Sequence, residues 1–303
     1  MSLGIVRLKP SKKNYVWSGN ELSFLFHKGR KNERIAETWE LSFLDEGLTI
    51  IESGKYKNQE LKKVVNPADL GKNIAKHSYF PFLIKFIDAG ENLSVQVHPN
   101  DDYALEHEHS LGKTEMWYVL KAKPHSGLYV GLKKDSTKEE LAESIKDGSI
   151  LNLLNFFEVK EGDVYFIPSG TIHAIGKGVM VAEIQQSSNI TYRLYDYNRL
   201  GLDGKPRQLH VEKALDVVDV NAYKKVTFPD CIGESNYFKT YHYLIKDEEL
   251  LRTFKESFAC VNFIKGEGKI SRFKARQGDS FFVPANKKYK ISGNCEVLIT
   301  VIP

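Results

Sequence analysis

The chain is cut into short stretches rich in Val, Ile, Phe and Tyr, with turn residues between them, and this most limits what it can fold into. Residues 82–87, 93–98, 116–120, 164–167, 179–184, 258–264, 281–283 and 297–302 all read this way. β-branched and aromatic side chains suit a pleated, half-buried surface. Helical signals are few. Ser136-Thr137-Lys138-Glu139 reads as a capping box with Ser136 as the cap, Leu141 and Ile145 sharing a face and Gly148 as the stop. Residues 101–109 and 210–218 are the other helical stretches, the second carrying Val211, Ala214, Leu215 and Val218 at helical spacing. A mainly β chain with so few helices predicts sandwich or barrel domains.

A repeat refines that expectation. Residues 162–173 read Gly-Asp-Val-Tyr-Phe-Ile-Pro-Ser-Gly-Thr-Ile-His, and residues 278–289 read Gly-Asp-Ser-Phe-Phe-Val-Pro-Ala-Asn-Lys-Lys-Tyr. The frame Gly-Asp-x-x-Phe-x-Pro recurs, and the position of His173 becomes Tyr289. Upstream, residues 117–122 resemble residues 261–266. The interval between the two blocks is longer in the first copy and contains the helix near Ser136. The expectation is two related β-barrels: residues 1–225 with a helical insertion near 135–155, and residues 226–303 without the histidine.

Bulk properties exclude some functions. With 43 Lys+Arg against 39 Asp+Glu, a net charge of +4 over 303 residues is too weak to predict nucleic-acid binding. Cys231, Cys260 and Cys295 are far apart and form no CxxC pair, as expected of reduced thiols. No apolar run approaches a membrane span, and the first ten residues lack one long enough for a signal peptide. A cytoplasmic protein acting on a small molecule, as monomer or homodimer, is expected, with no nucleic acid and no membrane.

The chemistry concentrates in Ser94-Val95-Gln96-Val97-His98-Pro99. Strand alternation puts Gln96 and His98 on one face and Val95 and Val97 on the other. Inward polar side chains in a barrel are costly unless something satisfies them, and a metal ion would. Glu115 precedes an apolar strand, and His173 ends the first Gly-Asp turn. Together they offer two imidazoles, a carboxylate and an amide oxygen, a mixed N/O set suited to Zn²⁺ or another divalent transition metal. His107-Glu108-His109 imitates a ligand pair, but residues two apart on a helix do not share a face, so a solvated surface is expected there.

Residues 162–173 fit the second cupin motif, G-x5-P-x-G-x2-H, without a gap. With the Ser94–Pro99 run, Gly112-Lys113-Thr114-Glu115-Met116-Trp117-Tyr118, the block from Glu183 through Thr191-Tyr192-Arg193 to Asp196, and Leu209-His210-Val211-Glu212-Lys213, the chain closely resembles the short bacterial and archaeal form of type I mannose-6-phosphate isomerases. Further matches are Ala36-Glu37-Thr38-Trp39-Glu40-Leu41-Ser42 and Leu83-Ile84-Lys85-Phe86-Ile87-Asp88-Ala89. The resemblance covers at least residues 17–217. It implies a zinc enzyme, one ion per chain, that interconverts mannose 6-phosphate and fructose 6-phosphate through a cis-enediol. It maps Gln96, His98, Glu115 and His173 to the zinc ligands and Arg193 to the active-site arginine. It maps Glu183 to an acidic residue proposed for proton transfer, Lys113 to an active-site lysine, and Arg199 to a basic residue six beyond the arginine. Two positions depart from the pattern of longer relatives: Gly112 replaces a His and Asn189 replaces an Asp.

Isomerisation needs a base near the two carbons, an electrophile for the developing oxyanion and a clamp for the phosphate. Glu183 is the candidate base, and Arg193 offers a fork of donors. Lys85, Lys113 and Arg199 are candidates to add positive charge for the phosphate. Trp17 and Trp39 are candidate walls of a sugar pocket, whereas Trp117 is expected in the core. Asp196 is expected to orient Arg193 or Arg199. Competing readings are an Fe(II) cupin oxygenase, a cupin-type phosphoglucose isomerase, and a non-catalytic sugar-phosphate sensor. Thr191-Tyr192-Arg193 and the Gln96 ligand weigh against the first two, and the Glu183–Arg193 pair against the third.

Overall fold

A computed structural model describes residues 3–303. Its twenty strands form three antiparallel sheets. One has six strands: β2 (Ser11–Lys13), β3 (Glu37–Leu41), β5 (Phe82–Asp88), β7 (Glu115–Ala122), β10 (Val164–Ile167) and β12 (Val179–Gln186), in the order β10-β7-β12-β5-β3-β2. The second has five: β6 (Val95–Val97), β8 (Gly127–Leu132), β9 (Leu154–Glu158), β11 (His173–Ile175) and β13 (Tyr192–Tyr195), in the order β13-β6-β11-β8-β9. These two sheets make the first jelly-roll barrel. The third sheet holds β14 (Gly233–Glu234), β15 (Lys239–Ile245), β16 (Glu248–Arg252), β17 (Ala259–Ile270), β18 (Phe273–Arg276), β19 (Ser280–Val283) and β20 (Lys288–Val301), and it also takes in β1 (Val6–Lys9) and β4 (Ile50–Ile51). The N-terminal strand thus crosses the expected division at residue 225, pairing Val6 with Phe282 and Leu8 with Ser280.

Alternation sorts the six-stranded sheet into two faces. Met180, Ala182 and Ile184 of β12 join Phe82, Ile84 and Phe86 of β5 in a core completed by Phe258, Cys260, Phe282 and Leu298 of the second barrel. The opposite face sends Val179 and Val181, Ile87, Trp117 and Val119 into the first barrel, against Leu128, Val130 and Ile175 of the five-stranded sheet. Glu183 follows Val181 by two and so faces the barrel interior. Val95 and Val97 point the other way, into a third core with Leu141, Ile145 and Ala214 of helices Lys138–Asp147 and Val211–Val217. The helical insertion therefore covers the outer face of the five-stranded sheet.

The internal repeat is a repeat of structure. Val164 pairs with Tyr118 and Phe166 with Met116, and the corresponding pairs in the second barrel are Ser280 with Asn262 and Phe282 with Cys260. Two local expectations need correction. The helix cap is Thr137, whose Oγ1 accepts from Glu140 N at 3.1 Å, while the Ser136 hydroxyl donates to the Glu140 carboxylate at 2.7 Å. The strand expected over 258–264 runs on to Ile270, because a bulge near Phe263–Lys265, with Gly266 at φ 72°, lets pairing continue past residues that look like a break. No helix among the described residues is long and apolar enough to cross a membrane.

Candidate metal centre and active site

Two rows of side chains face each other inside the first barrel, and strand register builds both. In the six-stranded sheet, Trp39 pairs with Lys85, Lys85 with Glu183, and Glu183 with Trp117, while Gln185 pairs with Glu115. In the five-stranded sheet, Arg193 pairs with Gln96 and Gln96 with His173.

His98, Glu115 and His173 converge, their ligand atoms all within 4.8 Å of one another. His98 Nε2 lies 3.2 Å from His173 Nε2, and the Glu115 carboxylate lies 3.6 Å from the first and 3.5 Å from the second. The His173 Nδ1–H donates to Thr171 O at 2.8 Å, which leaves the Nε2 lone pair facing inward. Burial first, then the nearby Lys113 charge, pulls His173 down to about 3 and holds His98 well below the ordinary imidazole range. Both rings are therefore neutral. Glu115 Oε1 is fully buried and accepts no hydrogen bond. Three converging acceptors, with Glu115 Oε1 unpartnered and a lysine ammonium already drawn against the other carboxylate oxygen and His98 Nε2, fit a cation, and the donor set suits a transition metal. The Gln96 side-chain amide lies 3.3 Å from His173 Nε2, at the edge of the same cluster.

Four charged groups surround it. Lys113 Nζ donates to Glu115 Oε2 at 2.5 Å and to His98 Nε2 at 2.9 Å. Glu183 Oε1 lies 3.2 Å from Lys85 Nζ and 3.8 Å from Lys113 Nζ, and its Oε2 accepts the Trp117 indole N–H at 2.9 Å. Lys85 Nζ also lies 3.8 Å from Glu37, whose carboxylate accepts the Trp39 indole N–H. Burial pushes Glu183 up, but Lys113 and Lys85 outweigh it and hold the carboxyl well below its ordinary range. Burial and the Glu183 charge push Glu115 up to about 7 against the pull of Lys113. A metal ion against Glu115 would reverse that rise.

Above these groups lies a cavity of about 290 Å³. Gln96, Lys113, Glu183, Lys85, Arg193 and Trp17, all candidates from the sequence, line it. Trp17 stacks on Tyr15 with ring centroids 5.3 Å apart. Trp117 is core, as expected, packed edge-on to His173. Trp39 is 1% exposed and is not among the lining residues, so it supports Glu37 rather than walling the pocket. Arg199 does not line the cavity either; it pairs with Asp196. Arg207 does line it and carries no pattern signal, because a lone arginine after a Gly-Leu-Asp-Gly-Lys-Pro loop has no periodic context. His107 and His109 are exposed, as the helical reading requires. Gly112 has a steric reason: a Cβ there would fall 2.4 Å from the Asn100 carbonyl carbon and 2.6 Å from Asp101 N. A histidine at that position would need a different backbone approach.

The phosphomannose isomerase type I catalytic domain family matches residues 5–145, and the mannose-6-phosphate isomerase cupin domain family matches residues 226–302. A mannose-6-phosphate isomerase of Streptococcus mutans is 35% identical, the match covering 93% of each chain. The crystal structure of a mannose 6-phosphate isomerase from Bacillus subtilis superposes with a TM-score of 0.87 at 32% identity, covering 98% of this chain and 99% of that one. A mannose 6-phosphate isomerase crystallised with zinc and yttrium shares the fold at 17% identity and a TM-score of 0.80, covering 98% and 99% of the two chains.

Proposed function

The chain belongs to the type I phosphomannose isomerase family, and from that premise we propose that it interconverts mannose 6-phosphate and fructose 6-phosphate, with one zinc ion held by His98, Glu115, His173 and Gln96. The observation that carries this reading is the meeting of two neutral imidazoles and a buried carboxylate behind Gln96, Lys113 and the ionised Glu183, which line a cavity of about 290 Å³. Turned over, the Gln96 amide would present its oxygen to the ion. The bound ion supplies Lewis acidity toward the sugar oxygens.

The protein's own residues do the rest. Glu183 enters the reaction deprotonated because Lys85 and Lys113 flank it. It takes the proton from C2 of the aldose and returns it to C1, while the O2 hydroxyl proton passes to O1 in the enediolate, producing the ketose, and runs in the opposite sense for the reverse reaction. The Lys113 ammonium stabilises the oxyanion of the enediolate as charge moves onto oxygen. Arg193 is held by Ser94 Oγ at 3.2 Å and by Gln208 O at 2.8 Å, so its remaining N–H groups are fixed for an oxyanion. Lys85, 5% exposed and pressed between Glu37 and Glu183, serves the base rather than the phosphate. Trp17 and Tyr15 wall the sugar. Three free thiols suit a reducing compartment, and we assign the enzyme to the cytoplasm.

The test is to purify the protein, quantify bound metal, and follow mannose 6-phosphate conversion with and without chelator. Turnover that is lost with chelator and restored by zinc is expected. A metal-loaded protein that leaves mannose 6-phosphate unchanged would sink the reading.

A further inference from the structure

Past the end of β13 the chain does something the metal centre does not require. Tyr197 and Asn198 both take left-handed backbone conformations, at φ 57° and 51°. Two consecutive residues of that kind without glycine are costly, and such strain gathers where geometry is used. They turn the chain so that Arg199 reaches back to Asp196, whose Oδ1 accepts Nε at 3.0 Å and Nη2 at 2.8 Å. The loop then reverses again, with Gly201 N donating to Lys205 O at 2.7 Å, and returns Arg207 to the same carboxylate. Arg207 Nε donates to Oδ2 at 2.7 Å and Nη2 to Oδ1 at 2.5 Å, a two-toothed grip on both oxygens. Asp196 is only 6% exposed.

The two arginines are not equivalent. Arg207 lines the cavity together with Arg193, Lys113 and Glu183, whereas Arg199 lies outside it, its guanidinium 5.5 Å from the centre of the Tyr197 ring. The Arg193 guanidinium donates to the uncharged Ser94 Oγ and Gln208 O, while Arg207 shares Asp196 with Arg199, so that one carboxylate leaves arginine charge uncompensated at the cavity wall. A phosphate monoester carries close to two negative charges at neutral pH.

We infer that Arg207, with Arg193, holds the substrate phosphate, and that Asp196 is the positioning residue that aims Arg207 into the cavity while Arg199 braces Asp196 from outside. The inference rests on the sugar-phosphate reading of the site. It moves the phosphate role from Arg199, a candidate for it alongside Lys85 and Lys113, to a residue eight positions later.

Steady-state kinetics on the metal-loaded enzyme, together with calorimetric titration of inorganic phosphate, test it. For Arg207→Gln, KM for mannose 6-phosphate should rise about ten- to hundredfold, as loss of a charge-assisted pair implies, with kcat within about threefold of wild type. Phosphate affinity should fall in parallel. Arg207→Lys should recover part of the loss, because a point charge lacks the fork. Asp196→Asn should mimic Arg207→Gln, and the double variant should be no worse than Arg207→Gln alone. Arg199→Gln should change KM by less than about threefold, since it leaves the Arg207 grip intact. A merely structural role would lower kcat and thermal stability without splitting KM from kcat. Should Asp196→Asn fail to fold, Arg207→Lys and Arg199→Gln still carry the test, because both leave Asp196 with a partner. The inference is overturned if Arg207→Gln leaves KM and phosphate affinity unchanged, or if Arg199→Gln raises KM as much. A wild-type protein inactive on mannose 6-phosphate, yet binding phosphate through Arg207, would separate failure of the isomerase reading from failure of this one.

Discussion

In the first barrel Gly162 bends the chain at φ 91°, its N–H donating to Val119 O at 2.9 Å, and Asp163 Oδ2 accepts Lys160 N at 2.9 Å. In the second, Gly278 bends at φ 95°, its N–H donating to Phe263 O at 2.8 Å, and Asp279 Oδ2 accepts Arg276 N at 3.0 Å. The two turns are one piece of backbone engineering used twice. They differ eleven residues after the glycine, where one barrel has His173 in a charged cluster and the other has Tyr289 in an apolar core with Val261, Phe263, Phe281 and Val297. The Gly-Asp-x-x-Phe-x-Pro frame thus serves the fold, and the chemistry is carried by a position outside it. Fully buried Glu115 and nearly buried Glu183, Lys85 and Lys113 make the first interior costly to assemble, whereas the second interior contributes stability directly.

The contrast can be broken most severely at the proposed metal ligands. Replacing His98 or His173 by Ala should remove bound metal and abolish turnover in the first barrel; metal content by emission spectrometry and a coupled assay check it. Next, Glu183→Gln should retain metal but lower kcat roughly 10²- to 10⁴-fold, the usual contribution of a positioned base. A near-normal rate would remove Glu183 from that role. In the second barrel, Phe281→Ala should cost about 3–5 kcal/mol in denaturant unfolding while the folded fraction keeps its kcat, because Phe281 packs fully buried against Phe263 and Phe273.

Asp88 gives a smaller effect, on pH dependence. It accepts Glu21 N at 2.6 Å and Leu22 N at 3.3 Å, yet burial raises its carboxyl to about 6. Between its ordinary value and about 6 the native state binds more protons than the unfolded one, so stability falls as pH rises through that window and levels off above it. The fall should amount to at most about 3 kcal/mol and should be missing from the Asp88→Asn variant, whose amide oxygen can still accept both N–H groups. Urea midpoints at pH 4.5 and pH 7.5 would decide it. The finest comparison is Gly162→Ala against Gly278→Ala. Both force a left-handed alanine, worth about 1 kcal/mol, and only the second drives its Cβ to 2.2 Å from Phe26 O. Gly278→Ala should therefore be the more destabilising; equal losses would mean that the second turn can relax away from Phe26.

Local information was enough to find eight of the twenty strands and to say which residues share a face. Period-2 alternation already grouped Gln96 with His98 against Val95 and Val97, and the glycine-marked frame revealed two barrels, because both signals lie within a few residues of one another. Motif order then joined Glu115, His173, Glu183 and Arg193 to the pair. Alternation alone could not say which face of β12 is the interior; only the packing of Val179 and Val181 against Leu128 and Val130 turned Glu183 inward. Nor could it pair Glu183 with Lys85 and Trp117, since register across strands is set by non-local burial. The same limit applies to β1 joining the second barrel and to Arg207 returning to Asp196 while Arg199 stays outside the cavity. The sequence determined the metal-ligand candidates and the barrels that hold them. The tertiary structure decided which charges line the cavity, because that depends on contacts between residues far apart in the chain.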